Sequence, residues 1–585
     1  MKNNSLIVFL GMIVLFITSC EKFKVGNEFL EKPPSVDVTK DTIFSNIEYA
    51  NRFLTGAYAT LRYGLLYDGS SKGIGMDADI LDGLTDITHS FRLDGGVNRL
   101  YYSGQYSAGT EERANGTKYS FLHEDNWKGI RMAYIFIDNI DRVPEVNDVT
   151  KKRLKAEAKM IIAMHYSDMY RHFGGLPWLD HAIDVNETFD FPRLTSMETL
   201  QNIIKLIDEA VIDLPWVLSD INNDDGRFTQ AAALGLKARM LLFGASPLFN
   251  SDAPYLSGEA SEKKMTWHGL YNQDLWKQAA DAAAELINKV ESNSGYNLVK
   301  TGNPRKDFQN AYYLRGNGEV LISTRVRHRN EGDYDYFAMQ VTRIHGIGCP
   351  TQEYLDMFGM ANGLATSDPA SGYDENNPYV NRDPRLYETI LTNGDVFQGR
   401  TAQLWIGGIE RQSSGQMMAG TGYDMRKFLL DWNSATSMGS VVHFPYLRLP
   451  EIYLTYAEAI NQFNNGPTAE AYRCVNLVRN RVGLQNLKPN LTKQQFHDAV
   501  MNERACEFGF EEVRWFDLIR WKMEDNFKKK LHGMNINRNG ASFTYQKFEL
   551  PERAWQRNWS PKWYLSALPP IEVNKGYGLV QNPGW

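Results

Sequence analysis

A chain of 585 residues exceeds the roughly 250 to 300 at which one hydrophobic core stops growing, so a single small module is excluded. Its net charge of -7, with acids and bases interspersed, offers no basic stripe to neutralise phosphates and argues against nucleic acid as a partner. An aromatic content of 12 % suits a stacking surface carried on loops, and equally a large helical protein packed with tyrosine, so composition does not choose between them.

Residues 1–19 carry Lys2, an apolar run from Leu6 to Ile17 and the small residues Thr18 and Ser19. This is the pattern of a secretory signal peptide, and the run is too short to span a bilayer as a helix. Residues 20–40, with Pro33-Pro34 among polar neighbours, read as an extended leader. Helical periodicity then begins, with Asp41 or Thr42 as the expected cap and Ile43, Phe44, Ile47, Ala50, Phe53, Leu54, Ala57, Tyr58 and Leu61 recurring at steps of three and four. Residues 66–120 form a Gly/Ser/Asp/Tyr-rich insertion without sustained periodicity, and an insertion of that length is usually functional or disordered. Helices are predicted over 124–143, 151–173, 197–214, 230–249 and 272–290, with Gly174-Gly175-Leu176-Pro177 stopping the second. Paired helices of this length loosely resemble tetratricopeptide units.

Residues 295–445 differ, with short β-compatible pieces such as 319–327 among long Gly/Asn/Ser loops. Helices are predicted again over 449–463, 467–482, 492–510 and 515–522. The expected fold is therefore mostly α, with tetratricopeptide-like helix pairs, long irregular loops and a few short β-strands. Its regions are an N-terminal helical part, 41–294, and a C-terminal part, 295–585. Trp127, Trp276, Trp515 and Trp521 sit on helical apolar faces and are expected in the core.

Several segments share one resemblance. Phe444-Pro445-Tyr446-Leu447-Arg448-Leu449-Pro450-Glu451, the stretch from Ala471 to Leu484, Glu503-Arg504 through Trp521, Asn381-Arg382-Asp383-Pro384-Arg385-Leu386 and the ending Gln581-Asn582-Pro583-Gly584-Trp585 resemble the motifs of the SusD/RagB family. Gly226-Arg227-Phe228-Thr229 and Phe173-Gly174-Gly175-Leu176-Pro177 match its helical core. Glu512 departs from the pattern, standing where the family carries glycine. Most motif residues alternate Arg or Glu with large apolar groups, which reads as helix packing with fixed ion pairs.

Ile17-Thr18-Ser19-Cys20 resembles the lipobox of bacterial lipoproteins, which implies acylation of Cys20 and tethering to the membrane through lipid. Cys349, Cys474 and Cys506 then form an odd set, incompatible with a complete disulfide framework, and are expected to pack as small apolar groups. The family resemblance implies an outer-membrane protein facing the cell exterior. It would bind an oligosaccharide and deliver it to a SusC-like TonB-dependent transporter.

A sugar ring has apolar C–H faces and polar edges, so its site wants aromatic planes flanked by Asn, Asp, Arg or Gln. Loop residues meeting this description are Asn98, Arg99, Tyr101, Tyr102 and Tyr106, then Trp267 with His268, Trp405, and Trp432 with Asn433. No zinc, Walker or dinucleotide motif occurs, and neither cofactor nor metal is expected. The acidic cluster Asp77, Asp79, Asp82 and Asp86 fails the EF-hand pattern. Two alternatives remain at this point: a surface glycoside hydrolase or peptidase drawing its acids from that cluster, and a scaffold that binds only protein.

Overall fold

The computed structural model describes residues 39–62, 64–65, 76, 79–92, 96–112, 116–184, 186–325, 346–397, 399–411, 413–414, 416–417, 419–429 and 443–585. Cys20, the signal segment, nearly all of the leader, Asp77, Trp432 and Asn433 lie outside the described residues.

Helices α1 (Ile47–Tyr58), α2 (Asn126–Asn139), α3 (Asp148–Phe173), α4 (Ser196–Val211), α5 (Gln230–Ala245) and α6 (Asp274–Ser292) each pack against the next. Helix α6 then packs on α7 (Leu449–Phe463), which carries α8 (Ala469–Arg481) and α9 (Lys493–Phe508), and α9 supports α10 (Val513–Arg520). The stack is thus continuous across residues 293–448, the long irregular excursion. Most of these helices begin at a residue whose side chain accepts a free N–H of the first turn: Asn147 for α3, Thr229 for α5, Thr468 for α8, and reciprocal boxes of Thr195 with Glu198 and Thr492 with Gln495 for α4 and α9.

The first expected helix is two pieces. Thr39, not Asp41 or Thr42, caps a single turn over Lys40–Ile43, and Asn46 accepts from the Tyr49 N–H to restart as α1. Polar Ser45 and Asn46 compete for backbone hydrogen bonds and interrupt the ladder that the apolar spacing alone would continue.

Among the described residues every sheet is two-stranded. Strand β1 (Val320–Arg325) pairs antiparallel with β2 (His443–Arg448), and β3 (His532–Asn539) forms a hairpin with β4 (Ser542–Glu549). The β1–β2 pair sits on α5 where the helix is smallest: a Cβ at Gly235 would meet Leu447 at 2.8 Å and Leu321 at 3.0 Å. Cys349, Cys474 and Cys506 are buried free thiols.

The core is apolar around a charged centre. Arg448, on the last residue of β2, bonds Glu319 and Glu507 at 2.9 Å and forks onto Glu511 at 2.7 and 2.8 Å. Arg481 also reaches Glu319 and Glu507, Lys427 reaches Glu511, Arg385 reaches Asp383, Glu503 and Glu507, and Arg479 reaches Glu503. Arg385, Lys427, Arg448, Arg479 and Arg481 thus face Glu319, Asp383, Glu503, Glu507 and Glu511, five charges against five. Burial alone would raise the Glu507 carboxyl, yet the guanidiniums of Arg481, Arg448 and Arg385 hold it well below the usual carboxylate range.

Next to this network, Arg504 and Arg520 share Asp517, and Arg520 forks onto Glu458. Glu512 takes φ 58°, the left-handed backbone that glycine adopts without strain, and its carboxylate bonds Arg62 at 3.0 Å. The departure from the family's glycine therefore exchanges backbone ease, of order 1 kcal/mol, for an ion pair that ties residue 62 to α10.

Glu458→Ala leaves the buried Arg520 guanidinium with only Asp517 and Ser246 for partners and the Trp521 Nε1–H without its acceptor. A loss of about 3 to 5 kcal/mol is expected, read as a lowered denaturation midpoint in urea.

Candidate functional site

The aromatic residues of the 66–120 insertion turn inward. Asn98–Tyr102 forms one wide helical turn in which Tyr101 and Tyr102 are buried, as is Tyr106 just after it. Tyr101 and Tyr106 stack at 4.9 Å, and Trp555, Trp563 and Trp585 of the C-terminal segment close around them. Their hydroxyls are occupied: Tyr101 accepts from the Lys118 N–H at 2.8 Å, Tyr102 donates to the Gly83 carbonyl and Tyr106 to Glu111. Asn98 donates to the Ser90 carbonyl at 2.7 Å, and the Arg99 guanidinium lies against Gly116. These rings show no open face in this structure, and what they build is an interior aromatic layer that seats the insertion on the chain's last residues.

The described acids of the Asp77–Asp86 cluster are also buried. Asp79 accepts from the Ile80 and Val97 N–H groups at 2.9 and 3.2 Å. Burial pushes the Asp82 carboxyl up to about 7. Asp86 is held by both nitrogens of an Arg514 fork at 2.9 Å, by Asn526 at 2.7 Å and by Lys529 at 2.9 Å. These bonds anchor the insertion to α10 and the segment that follows. None of the three carboxylates is open to solvent.

Trp267 is half-buried and donates its Nε1–H to the Ser261 carbonyl at 2.8 Å. His268 is wired between Ser196 Oγ at 3.0 Å and the Gly244 carbonyl at 3.1 Å, and burial lowers its pKa to about 4, so it is a neutral structural imidazole at pH 7.

Trp405 has a different setting. It lies in a turn held by the Ile406 N–H to the Ile536 carbonyl (2.9 Å), the Leu404 N–H to Asn393 Oδ1 (3.1 Å) and the Gln403 N–H to Glu410 (2.6 Å). Beneath it is a separate small core of Leu391, Phe397, Ala402, Leu404, Ala419 and Ile536. The half-buried Trp405 ring packs on Phe543 at 5.4 Å, and the Arg538 guanidinium stands 5.0 Å from its centroid. Ile406 and Ile409 are exposed beside it, 54 and 44 % accessible. The ring is thus an aromatic plane fixed by Phe543 and by the guanidinium over it, and an aromatic plane with a polar group nearby is what a sugar's C–H face and hydroxyls require.

Phe543 and Arg538 were missed because they lie on the β3–β4 hairpin. Its signal was in the sequence: Asn539-Gly540 joins two runs of alternating polarity, and Arg538 pairs with Phe543 across that turn. The structure does not gather the predicted residues at one place. Tyr101 to Tyr106 pack under the C-terminal segment, Trp267 and His268 lie beside α4 and α5, and Trp405 lies against the hairpin.

A family model described as "SusD family" matches residues 328–585, and one described as "Starch-binding associating with outer membrane" matches residues 87–242. Together they cover more than half of the chain. It belongs to the SusD family. A SusD-like protein of Formosa agariphila is 22 % identical over 551 residues, covering 89 % of this chain and 90 % of its own. The starch-binding protein SusD of Bacteroides thetaiotaomicron is 22 % identical over 468 residues, covering 73 and 75 %. A solved SusD-like protein of Bacteroides fragilis superposes with a TM-score of 0.72 at 22 % identity, over 95 % of this chain and all of that one. The mostly helical architecture is thus the SusD fold. No helix among the described residues is long and apolar enough to cross a membrane.

Burial raises the Glu111 carboxyl, which accepts from Tyr106, from 4.5 to about 8. A raised carboxyl contributes stability that is fully present below about pH 4.5 and lost as pH rises to about 8. Glu111→Gln keeps an acceptor for Tyr106 and cannot ionise, so its thermal midpoint is expected to fall less than the parent's between pH 5 and 8; parallel curves would contradict the assignment.

Proposed function

We propose that this SusD-family protein is a lipid-anchored receptor on the outer face of the outer membrane that binds an oligosaccharide and passes it to a SusC-like TonB-dependent transporter. It does so without chemistry of its own. The observation that carries the reading is the joint match of two family models, one of them described as starch-binding and associated with the outer membrane, to both halves of one chain with the SusD fold. Supporting it, the lipobox-like Ile17-Thr18-Ser19-Cys20 supplies an anchor and Trp405 with Phe543 and Arg538 supplies an aromatic platform. Of the acids on which the hydrolase alternative was built, Asp79, Asp82 and Asp86 are buried, which favours binding over hydrolysis.

A receptor that hands on its cargo needs modest affinity. Held beside a transporter it works at high effective concentration, so dissociation constants from micromolar to millimolar, about 8 to 4 kcal/mol, suffice. Calorimetry or affinity electrophoresis across a polysaccharide panel tests this. At least one neutral polysaccharide is expected to bind with no release of product, and Trp405→Ala is expected to weaken it at least tenfold, about 1.4 kcal/mol. Co-purification of the transporter with no ligand anywhere in the panel would point instead to a protein-binding scaffold.

A further inference from the structure

A cleft of about 250 Å³ opens between the start of α2, residues 177–189 and residues 572–577. Its aromatic rings are Phe121, Trp127, Phe189 and Tyr577, and its polar groups come from Arg131, His181 and Glu572. The walls are built in advance of any ligand. Buried Arg193 donates to the carbonyls of Phe173, Gly175 and Val580 and to Asn582 Oδ1, at 2.5 to 2.7 Å, locking the 177–193 segment to the C-terminal one. Tyr134 donates to the Leu179 carbonyl at 2.7 Å. His181 bridges Asp180 and Glu187 at 2.6 and 2.8 Å, and Glu187 accepts the Asp184 N–H, so the turn that leads to Phe189 is clasped shut.

The rings are placed to receive something flat. Phe189, 40 % accessible, meets Tyr577 edge to face at 4.7 Å and 80°, so the two form a corner instead of covering one another. Trp127 spends its Nε1–H on the Phe121 carbonyl at 2.8 Å, and what it offers the cleft is ring surface. The surrounding groups supply both donors and acceptors: exposed Arg131 makes no ion pair or hydrogen bond with any described residue, and the Tyr577 hydroxyl reaches Glu572 at 3.2 Å.

These facts narrow the guest. Pockets for drug-sized ligands run to roughly 300 to 1,000 Å³, so this one holds a single ring and not a chain. A wholly apolar guest would desolvate Arg131, Tyr577 and Glu572 without giving them partners. An anion gains from Arg131 but meets Glu572 in the lining, with the Asp180 and Glu187 carboxylates bonded to His181 behind it. A neutral pyranose satisfies both conditions, with its C–H face in the corner and its hydroxyls on the donors and acceptors.

We infer that this cleft is a second sugar site, separate from the Trp405 platform, which takes one neutral pyranose residue at the end of an oligosaccharide. The inference rests on the carbohydrate-binding reading above. Saturation-transfer NMR on the purified protein tests it with methyl α-D-glucopyranoside, methyl β-D-galactopyranoside and methyl α-L-rhamnopyranoside, and with p-cresol as an apolar ring. At least one pyranoside is expected to show transfer to its ring C–H protons. Phe189→Ala and Tyr577→Ala should each cut that transfer at least fivefold and Arg131→Ala, at an exposed position, at least twofold, while Tyr49→Ala on α1 leaves it unchanged. Pyranoside transfer that survives all three cleft variants overturns the site, as does p-cresol transfer lost in Tyr577→Ala with none from any pyranoside. No pyranoside transfer while the polysaccharide panel still binds overturns this inference alone; loss of both overturns the carbohydrate reading with it.

Discussion

Arg448 sits with its guanidinium fully inside the protein, and the fold depends on its being paired there. The isolated transfer of such a charge from water costs several kcal/mol even after relaxation, so it is tolerable only where carboxylates surround it with good geometry. Glu319, Glu507 and Glu511 do so from the turn before β1, from α9 and from the turn after α9. The segments around residues 319, 448 and 507–511, distant in sequence, are thereby required at one point, and the excursion of residues 293–448 is held there at Glu319 and at its last residue. The five-against-five charge balance around Arg448 sets the relation of α8, α9 and β2 to one another more narrowly than apolar contact would, because apolar contact tolerates sliding and a fork on a carboxylate does not.

The conserved-looking strings of the C-terminal half acquire a single meaning in this light. Asp383 and Arg385, Arg448 and Glu451, Arg479 and Arg481, and Glu503, Arg504, Asp517 and Arg520 come from four motifs, and all end in this network or the one beside it that joins Arg239, Glu451, Arg504, Asp517, Arg520 and Glu458. They hold the frame, and the loops and turns are carried on it. Trp405 shows the arrangement in miniature: a small independent core fixes the turn, and the turn presents the ring. The aromatic cleft by Phe189 and Tyr577 shows it again, with Arg193 as its internal brace.

Helices were legible in the sequence wherever apolar periodicity ran long and a capping residue preceded it. The expected span 449–463 coincides with α7, and the other main helices fall within a few residues of their expected ends. Boundaries slipped where a local polar side chain competed, as at Ser45 and Asn46. The site was harder to read, because the sequence marks which residues are aromatic and not which way they face. Tyr101, Tyr102 and Tyr106 carry the same polar neighbours as a binding loop, and the tryptophans that bury them lie some 450 residues away, at 555, 563 and 585. Trp127 shows the converse, since a position on an apolar helical face ends half-exposed at the mouth of a cleft. Arginines gave the same ambiguity: Arg448 and Arg131 are alike on a helical or strand pattern, and only tertiary contact separates the buried hub from the free one.

The measurement that bears most directly on the charged centre is a double-mutant cycle in urea with Arg448→Met, Glu511→Gln and the combined variant. If the pair acts as the coupled unit described, the two single losses exceed the double loss by about 1.5 to 3 kcal/mol. Losses that add to within about 0.5 kcal/mol would show that Arg448 and Glu511 are independent and would contradict the coupled centre described.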